Sequence, residues 1–129
     1  MSLNKQDLKN LRYLKKEIAR LDLRIEELSS AVTSITKRID ASPRGNRGLN
    51  LVREELIDTK IMLEKKKKEL AFLQKSAEKF VQTIPESLTR LIISKRYIDG
   101  YSWRRIAFEV GGGNTEDGCR MIADRFLDK

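Results

Sequence analysis

The feature that most constrains this chain is an unbroken heptad pattern over residues 11–39. Apolar side chains follow one another there at alternating steps of three and four residues. The series consists of Leu11, Leu14, Ile18, Leu21, Ile25, Leu28, Val32, Ile35 and Ile39. This spacing places one narrow apolar seam along a helix and leaves charged residues on the other faces. At about 1.5 Å per residue such a helix is roughly 45 Å long, so we predict an extended element.

A second seam of similar length follows a short stretch rich in helix breakers. Residues 41–48 contain Pro43, Gly45 and Gly48, which predict a loop because proline removes a backbone donor and glycine permits positive φ. The second seam comprises Leu49, Val52, Leu56, Thr59, Leu63, Lys66, Leu70, Leu73, Ala77, Phe80 and Ile84. Two heptad helices joined by a short loop are expected to fold back on each other. We therefore predict a long antiparallel coiled-coil hairpin over residues 1–84.

Polar residues interrupt the second seam at Thr59 and Lys66. Such residues cost stability and can specify register; alternatively, the stem of Lys66 packs while its ammonium group reaches solvent. The run Lys65–Lys68, between Glu64 and Glu69, is either a solvated helix face or a patch for a phosphate or an acidic partner. Because two helices alone bury little apolar surface, we also expect self-association, with a dimer favoured.

The composition argues against an enzyme. The chain has no histidine and one cysteine, Cys119, which excludes a Cys/His zinc site, a Ser-His-Asp triad and an internal disulfide. We therefore expect no catalytic residue, no metal and no cofactor. No apolar run approaches the roughly 20 residues of a membrane span, and the N-terminus lacks the apolar core of a signal peptide. These features predict a cytoplasmic protein without a membrane partner.

Residues 85–129 have a different pattern, which predicts a separate head of three short helices. Pro85 suits the first position of a helix that extends over residues 86–98. Gly100 suits the end of that helix, since a residue with positive φ commonly follows a helix C-terminus.

The second and third helices of the head are separated by three glycines. Ser102 is a good N-cap for the second helix, Gly111–Gly113 form the turn, and Asn114 or Thr115 caps the third helix, which extends to about residue 127. A small-residue turn between two short helices is typical of a helix-turn-helix. The residues expected to face inward are Leu88, Leu91, Ile92, Tyr97, Trp103, Ile106, Ala107, Val110, Met121, Ile122 and Phe126.

The stretch RYIDGYSWRRIAFEVG, residues 96–111, resembles region 4 of bacterial sigma factors and related phage regulators. These proteins share an Arg-Tyr pair, a glycine, a Ser-Trp or similar pair, and an Ile-Ala pair before a turn. The whole chain resembles a group of sigma-like or late transcription regulators from phages and prophages of Gram-positive bacteria. The resemblance implies a head that binds double-stranded DNA in the cytoplasm of a bacterial host, with RNA polymerase as a neighbouring partner.

The resemblance also implies which side chains contact DNA. The helix that follows Ser102 would lie across the backbone, with Arg104 and Arg105 on phosphates, and the helix after the glycine turn would enter the major groove. The residues that would face bases are Asn114, Thr115, Glu116 and Gly118, with Arg120 on a base or a phosphate. Asparagine can pair with adenine and glutamate can accept a hydrogen bond from cytosine.

The charge distribution adds a constraint of its own. The net charge of +8 favours a polyanionic partner. Residues 1–40 carry +3, residues 41–84 carry +4 and residues 85–129 carry only +1. The last helix contains the acidic residues Glu116, Asp117, Asp124 and Asp128. Either dimerisation supplies the avidity for DNA, or the head contacts protein.

Three functional hypotheses follow from these patterns. The first is a transcription regulator in which the hairpin self-associates and the head binds DNA. The second is a DNA-packaging protein similar to small terminase subunits, although those place the helix-turn-helix first. The third is an adaptor whose hairpin holds another helical protein, such as a polymerase subunit.

Overall fold

All regular secondary structure in the computed structural model is helical over the residues that it describes, 3–39 and 47–128. The five α-helices are α1 (Lys5–Ile39), α2 (Arg47–Gln82), α3 (Ser87–Ile93), α4 (Trp103–Val110) and α5 (Glu116–Leu127). The π-helical segment Ser94–Ile98 continues α3. The predicted all-α class is therefore confirmed, and the heptad patterns coincide with the two long helices.

The ends of the helices lie close to the predicted ones. Of the predicted loop, residues 41–46 lie outside the described residues, while Arg47 and Gly48 belong to α2. At the other end, α2 stops at Gln82, and Glu86 is the N-cap of α3, which therefore begins two residues after Pro85.

Contacts divide the chain into two compact units, and each unit includes part of both long helices. The first unit combines residues 3–14 with residues 70–128, and the second contains residues 15–39 and 47–69. This division differs from the predicted boundary between residues 84 and 85. The reason is that the start of α1 and the end of α2 share a core with the three short helices.

In the second unit the two long helices pack together through their seam residues. The buried side chains are Ile18, Leu28, Leu49, Thr59 and Leu63. Ion pairs flank this seam, between Glu17 Oε2 and Lys66 Nζ at 3.1 Å and between Arg24 Nη2 and Glu55 Oε1 at 2.6 Å.

The two polar seam residues of α2 have local partners. The Thr59 hydroxyl donates a hydrogen bond to the Glu55 carbonyl oxygen at 2.7 Å, so the hydroxyl is satisfied within its own helix. The ammonium group of Lys66 reaches the edge of the seam, where it pairs with Glu17. Both residues are therefore accommodated without an unpaired polar group.

The core of the first unit is formed by all five helices and the π-helical segment. Its buried residues are Leu8, Leu11, Ala77, Val81, Ile84, Ile92, Ile93, Tyr97, Ile98, Ile106, Cys119 and Ala123. Helix α5 packs against both α3 and α4. The three short helices therefore close their core only together with the ends of α1 and α2.

Two of the residues predicted to face inward lie outside the core. Leu91 is 45% exposed and Met121 is 55% exposed. In α3 the adjacent Ile92 and Ile93 take the buried positions instead. In α5 the buried pair is Cys119 and Ala123, four residues apart on one face, which turns Met121 away from the core.

No helix within the described residues is both long enough and apolar enough to cross a membrane.

Neighbouring residues of α3 provide a test of this core. We expect Ile92→Ala to lower the free energy of unfolding by about 2–5 kcal/mol, because it leaves a cavity beside fully buried neighbours. The matched change Leu91→Ala removes a half-exposed side chain and should cost no more than about 1 kcal/mol. Urea unfolding followed by the fluorescence of Trp103, the single tryptophan of the chain, reports on this unit. Equal losses in both variants would contradict the described orientation of α3.

Candidate nucleic-acid interface

The predicted DNA-binding residues begin in the first turn of α4. Ser102 caps this helix, because its hydroxyl oxygen accepts a hydrogen bond from the Arg105 backbone N–H at 3.2 Å. Arg104 and Arg105 are both exposed. The Arg105 guanidinium carbon lies 3.6 Å from the centre of the Tyr101 ring, and its Nε is 3.7 Å from Glu109 Oε1. Arg105 is thus held in place by its neighbours, while Arg104 is exposed in the same turn.

The turn between α4 and α5 depends on its three glycines. Gly111, Gly112 and Gly113 have φ values of +62°, +62° and +80°, a region that side chains rarely adopt. Asn114 closes the turn on Gly111, whose carbonyl oxygen accepts from the Asn114 backbone N–H at 3.1 Å and from its side-chain amide at 2.9 Å. The amide N–H₂ group of Asn114 therefore already has a structural role.

Thr115 and Gly118 together form the N-terminal cap of α5. The Thr115 hydroxyl oxygen accepts a hydrogen bond from the Gly118 backbone N–H at 2.9 Å. A Cβ atom at position 118 would lie 2.9 Å from that oxygen, which is too close for an undisturbed contact. Glycine at this position therefore preserves the cap, although glycine is a poor helix former.

The acidic residues of α5 are largely engaged in ion pairs. Arg120 Nη2 is 2.8 Å from Asp117 Oδ1. Lys5 Nζ, from the start of α1, is 3.0 Å from Asp124 Oδ1 and 3.6 Å from Asp128 Oδ1. The hydrogen bond to Asp124 is the main reason why the pKa of Lys5 is raised above its usual range. The acidic character of this helix is therefore offset by cations beside it.

Sequence reasoning missed the contribution of α1 to this surface. Lys5, Lys9 and Arg12 occur at positions i, i+4 and i+7, which places them on one helix face. The spacing of these residues is enough to predict the basic stripe. It does not predict that the start of α1 lies beside α5, because a heptad pattern specifies the apolar seam of a helix but not what packs against its other faces.

The π-helical segment adds a fourth cation, Arg96. Its guanidinium carbon lies 4.6 Å from the centre of the Trp103 ring, and Nη1 donates a hydrogen bond to the Tyr101 carbonyl oxygen at 3.0 Å. Burial, together with the positive charge of Arg12, lowers the pKa of Arg96 below its usual range. The positive charge of Arg12 thus disfavours the charged form of the Arg96 guanidinium group.

The described residues offer little for covalent or metal chemistry. Cys119 is fully buried, and burial raises the pKa of its thiol, which favours the unreactive protonated form. Within residues 3–39 and 47–128, no three metal-ligating side chains are grouped so that they could hold an ion.

The seven predicted site residues all lie in the first unit, between positions 104 and 120. Arg104, Arg105, Thr115, Glu116 and Arg120 are exposed. The other two, Asn114 and Gly118, are partly buried in the turn and cap.

Comparison of the chain with protein-family models, curated proteins and solved structures finds no match.

The cap of α5 yields a double-mutant prediction. In the wild-type background, Gly118→Ala should be close to neutral, because a gain of about 1 kcal/mol in helix propensity is offset by displacement of the Thr115 cap. In the Thr115→Ala background the obstructing oxygen is absent, so Gly118→Ala should stabilise by about 1 kcal/mol. Thermal or urea unfolding of all four proteins gives the coupling energy. The same gain in both backgrounds would exclude the steric conflict.

The pairing of Lys5 with α5 predicts a pH dependence. A lysine whose pKa is raised on folding contributes stability that is fully present below its usual pKa of 10.5 and is lost as the pH rises through the folded-state value. Lys5→Gln should therefore be less stable than wild type at neutral pH, and the difference should shrink above pH 10.5. Urea unfolding across this range measures it. Lys60→Gln, an exposed lysine of the other unit, is the matched control and should differ little at any pH.

Proposed function

We propose that this chain is a DNA-binding transcription regulator of the phage type. In this proposal α3, α4 and α5 form a helix-turn-helix head, α4 lies across the DNA backbone, and α5 enters the major groove. One observation carries this proposal: a glycine turn joins α4 to α5. Helix α4 is capped at its N-terminus and has two exposed arginines in its first turn. The resemblance of residues 96–111, which include both arginines, to sigma region 4 agrees with this proposal.

The ion pairs of the acidic residues at α5 also support this proposal. A helix that lies in the major groove with four uncompensated carboxylates would repel the DNA backbone. Here Lys5 pairs with Asp124 and Asp128 and Arg120 pairs with Asp117, so two cations partly offset these three carboxylates. Glu116 is left exposed in the first turn, which is where a helix that reads bases presents its side chains.

For residues 1–84 we propose an antiparallel coiled-coil hairpin. The two ion pairs of the second unit support this direction. Glu17 pairs with Lys66, and Arg24, further along α1, pairs with Glu55, which comes earlier in α2. Partners whose numbers rise on one helix and fall on the other are typical of antiparallel neighbours.

We further propose that the hairpin self-associates, as a dimer in the simplest case. Its seam residues are already used in packing α1 against α2, so a second copy would have to bind elsewhere. The second unit offers apolar side chains outside the seam for this contact, each about half exposed: Leu23, Leu51, Ile57, Ile61 and Met62. A two-fold dimer would bind a palindromic DNA site.

Selection from a random duplex library, at about physiological salt, tests the DNA-binding proposal. We expect an enriched motif, because specific binding typically exceeds non-specific binding by roughly 10³ or more. Arg104→Ala should then weaken binding to every duplex and reduce the slope of log K against log salt by about 0.9, the loss of one phosphate contact. Arg53→Ala, an exposed arginine of the other unit, is the matched control and should leave both quantities unchanged.

A second candidate function is an adaptor that binds protein. Phe108 on α4 favours it, since its side chain is 86% exposed, and exposed aromatics are typical anchors of protein interfaces. The same selection distinguishes the two functions. If no duplex is bound even at low salt, the DNA-binding proposal fails and the adaptor becomes the better account.

A further inference from the structure

Within the first unit, the start of α1 faces the π-helical segment, Trp103 and α5 across an open cavity of about 250 Å³. Charged side chains from three elements line it: Lys5, Lys9, Arg12, Arg96, Arg120 and Asp124. Five of these six are cations. We call this cavity the cationic pocket.

The cations of the pocket are not balanced by the carboxylates beside them. Asp124 is bound by Lys5, and Arg120 pairs with Asp117. Among the described residues, no carboxylate forms an ion pair with Lys9, Arg12 or Arg96. Positive charges gathered in a concave site, without acids to neutralise them, attract anions from solution.

Two features of Arg12 bear on what the pocket could bind. Arg12 Nε is buried and has no hydrogen-bond partner in the structure, so one of its donors is unused. The positive charge of Arg12 also disfavours the charged form of Arg96. An anion in the pocket would reduce this electrostatic repulsion, and the unused donor shows that the polar groups of Arg12 are not all satisfied within the protein.

Phosphate matches this set of donors better than a single carboxylate does. Guanidinium groups form paired hydrogen bonds with phosphate oxygens, and a phosphate offers several acceptor oxygens for groups that converge from different directions. Here the donors come from α1, the π-helical segment and α5. We propose that the cationic pocket is a binding site for a phosphate group, with Lys9 and Arg12 as its principal ligands.

The phosphate has two possible sources of the same chemistry. It is either a backbone phosphate of duplex DNA, in which case the inference rests on the proposed function, or a free phosphorylated small molecule. The pocket lies on the same unit as Arg104 and includes Arg120 of α5, two residues that the proposed function assigns to DNA.

Titration with inorganic phosphate at constant ionic strength, with chloride as the compensating anion, tests the site on the full chain. Trp103 lines the pocket and lies against Arg96, so anion binding should alter its emission saturably; calorimetry measures the same binding without relying on fluorescence. Arg12→Gln should weaken phosphate binding about tenfold or more, as expected for the loss of a charge-assisted hydrogen bond. Arg53→Gln is the matched control and should bind phosphate as wild type does.

Lys9→Gln keeps the test valid if Arg12→Gln does not fold. Lys9 is exposed, so its replacement should leave thermal unfolding unchanged while weakening phosphate binding. Lys60→Gln, in the other unit, is its control. The absence of saturable phosphate binding by both methods overturns the proposal. An equal change in phosphate affinity in Lys9→Gln and in Lys60→Gln also overturns the proposal.

Duplex binding by wild type and Arg12→Gln at several salt concentrations identifies the source. A salt slope reduced by about 0.9 in the variant assigns the pocket to the DNA backbone. An unchanged slope, with phosphate binding lost, assigns it to a free phosphorylated ligand. If no duplex binds but phosphate still does, the proposed function fails and the pocket stands. If the protein binds duplex DNA but not phosphate, the phosphate site is overturned and the proposed function stands.

Discussion

The first unit depends on the burial of Leu8 and Leu11, at the start of α1, in one core with Ile92, Ile106 and Cys119. Each large apolar side chain buried in this way stabilises the unit by about 1.5–3 kcal/mol. Three short helices alone would form a very small domain, of a size at which a hydrophobic core is marginal. The ends of α1 and α2 complete that core. Residues 3–14 and 70–128 therefore belong to one compact unit, although they are far apart in the chain.

The same burial determines the electrostatics of the candidate interface. Leu8 and Leu11 alternate with Lys5, Lys9 and Arg12, so the helix segment that supplies apolar side chains to the core also supplies cations to the surface. Residues 3–14 contain three cations and only one carboxylate. The low charge of residues 85–129 thus underestimates the charge of the unit to which they belong. What appeared in the sequence as an acidic last helix is, in the folded unit, a helix whose acids are offset by cations.

The long helices and the caps could be predicted from sequence because their causes are local. A heptad specifies which side of a helix is apolar, and Ser102 and Thr115 each cap the helix that follows them, as expected of their side-chain oxygens. The failures at Leu91 and Met121 have a different cause. In a short helix, which side is buried depends on neighbouring residues that are distant in the chain. The apolar pattern of the helix alone carries no information about those neighbours. The cationic pocket escaped prediction for the same reason, since its two sides come from opposite ends of the sequence.

Three of the seven residues assigned to DNA by resemblance are explained by local structure alone. Asn114 closes the glycine turn, Thr115 caps α5 and Gly118 leaves room for that cap. These structural roles explain why the three residues are present without any contact to a DNA base. The side chains that remain are mostly cationic, with Glu116 as the main exposed group able to accept from a base. Phosphate contacts supply affinity and position, whereas base contacts supply specificity. Under the proposed function, a surface with this balance binds DNA chiefly through the DNA backbone, and any specificity comes from Glu116, from Arg120 or from the spacing that the proposed dimer imposes on two heads.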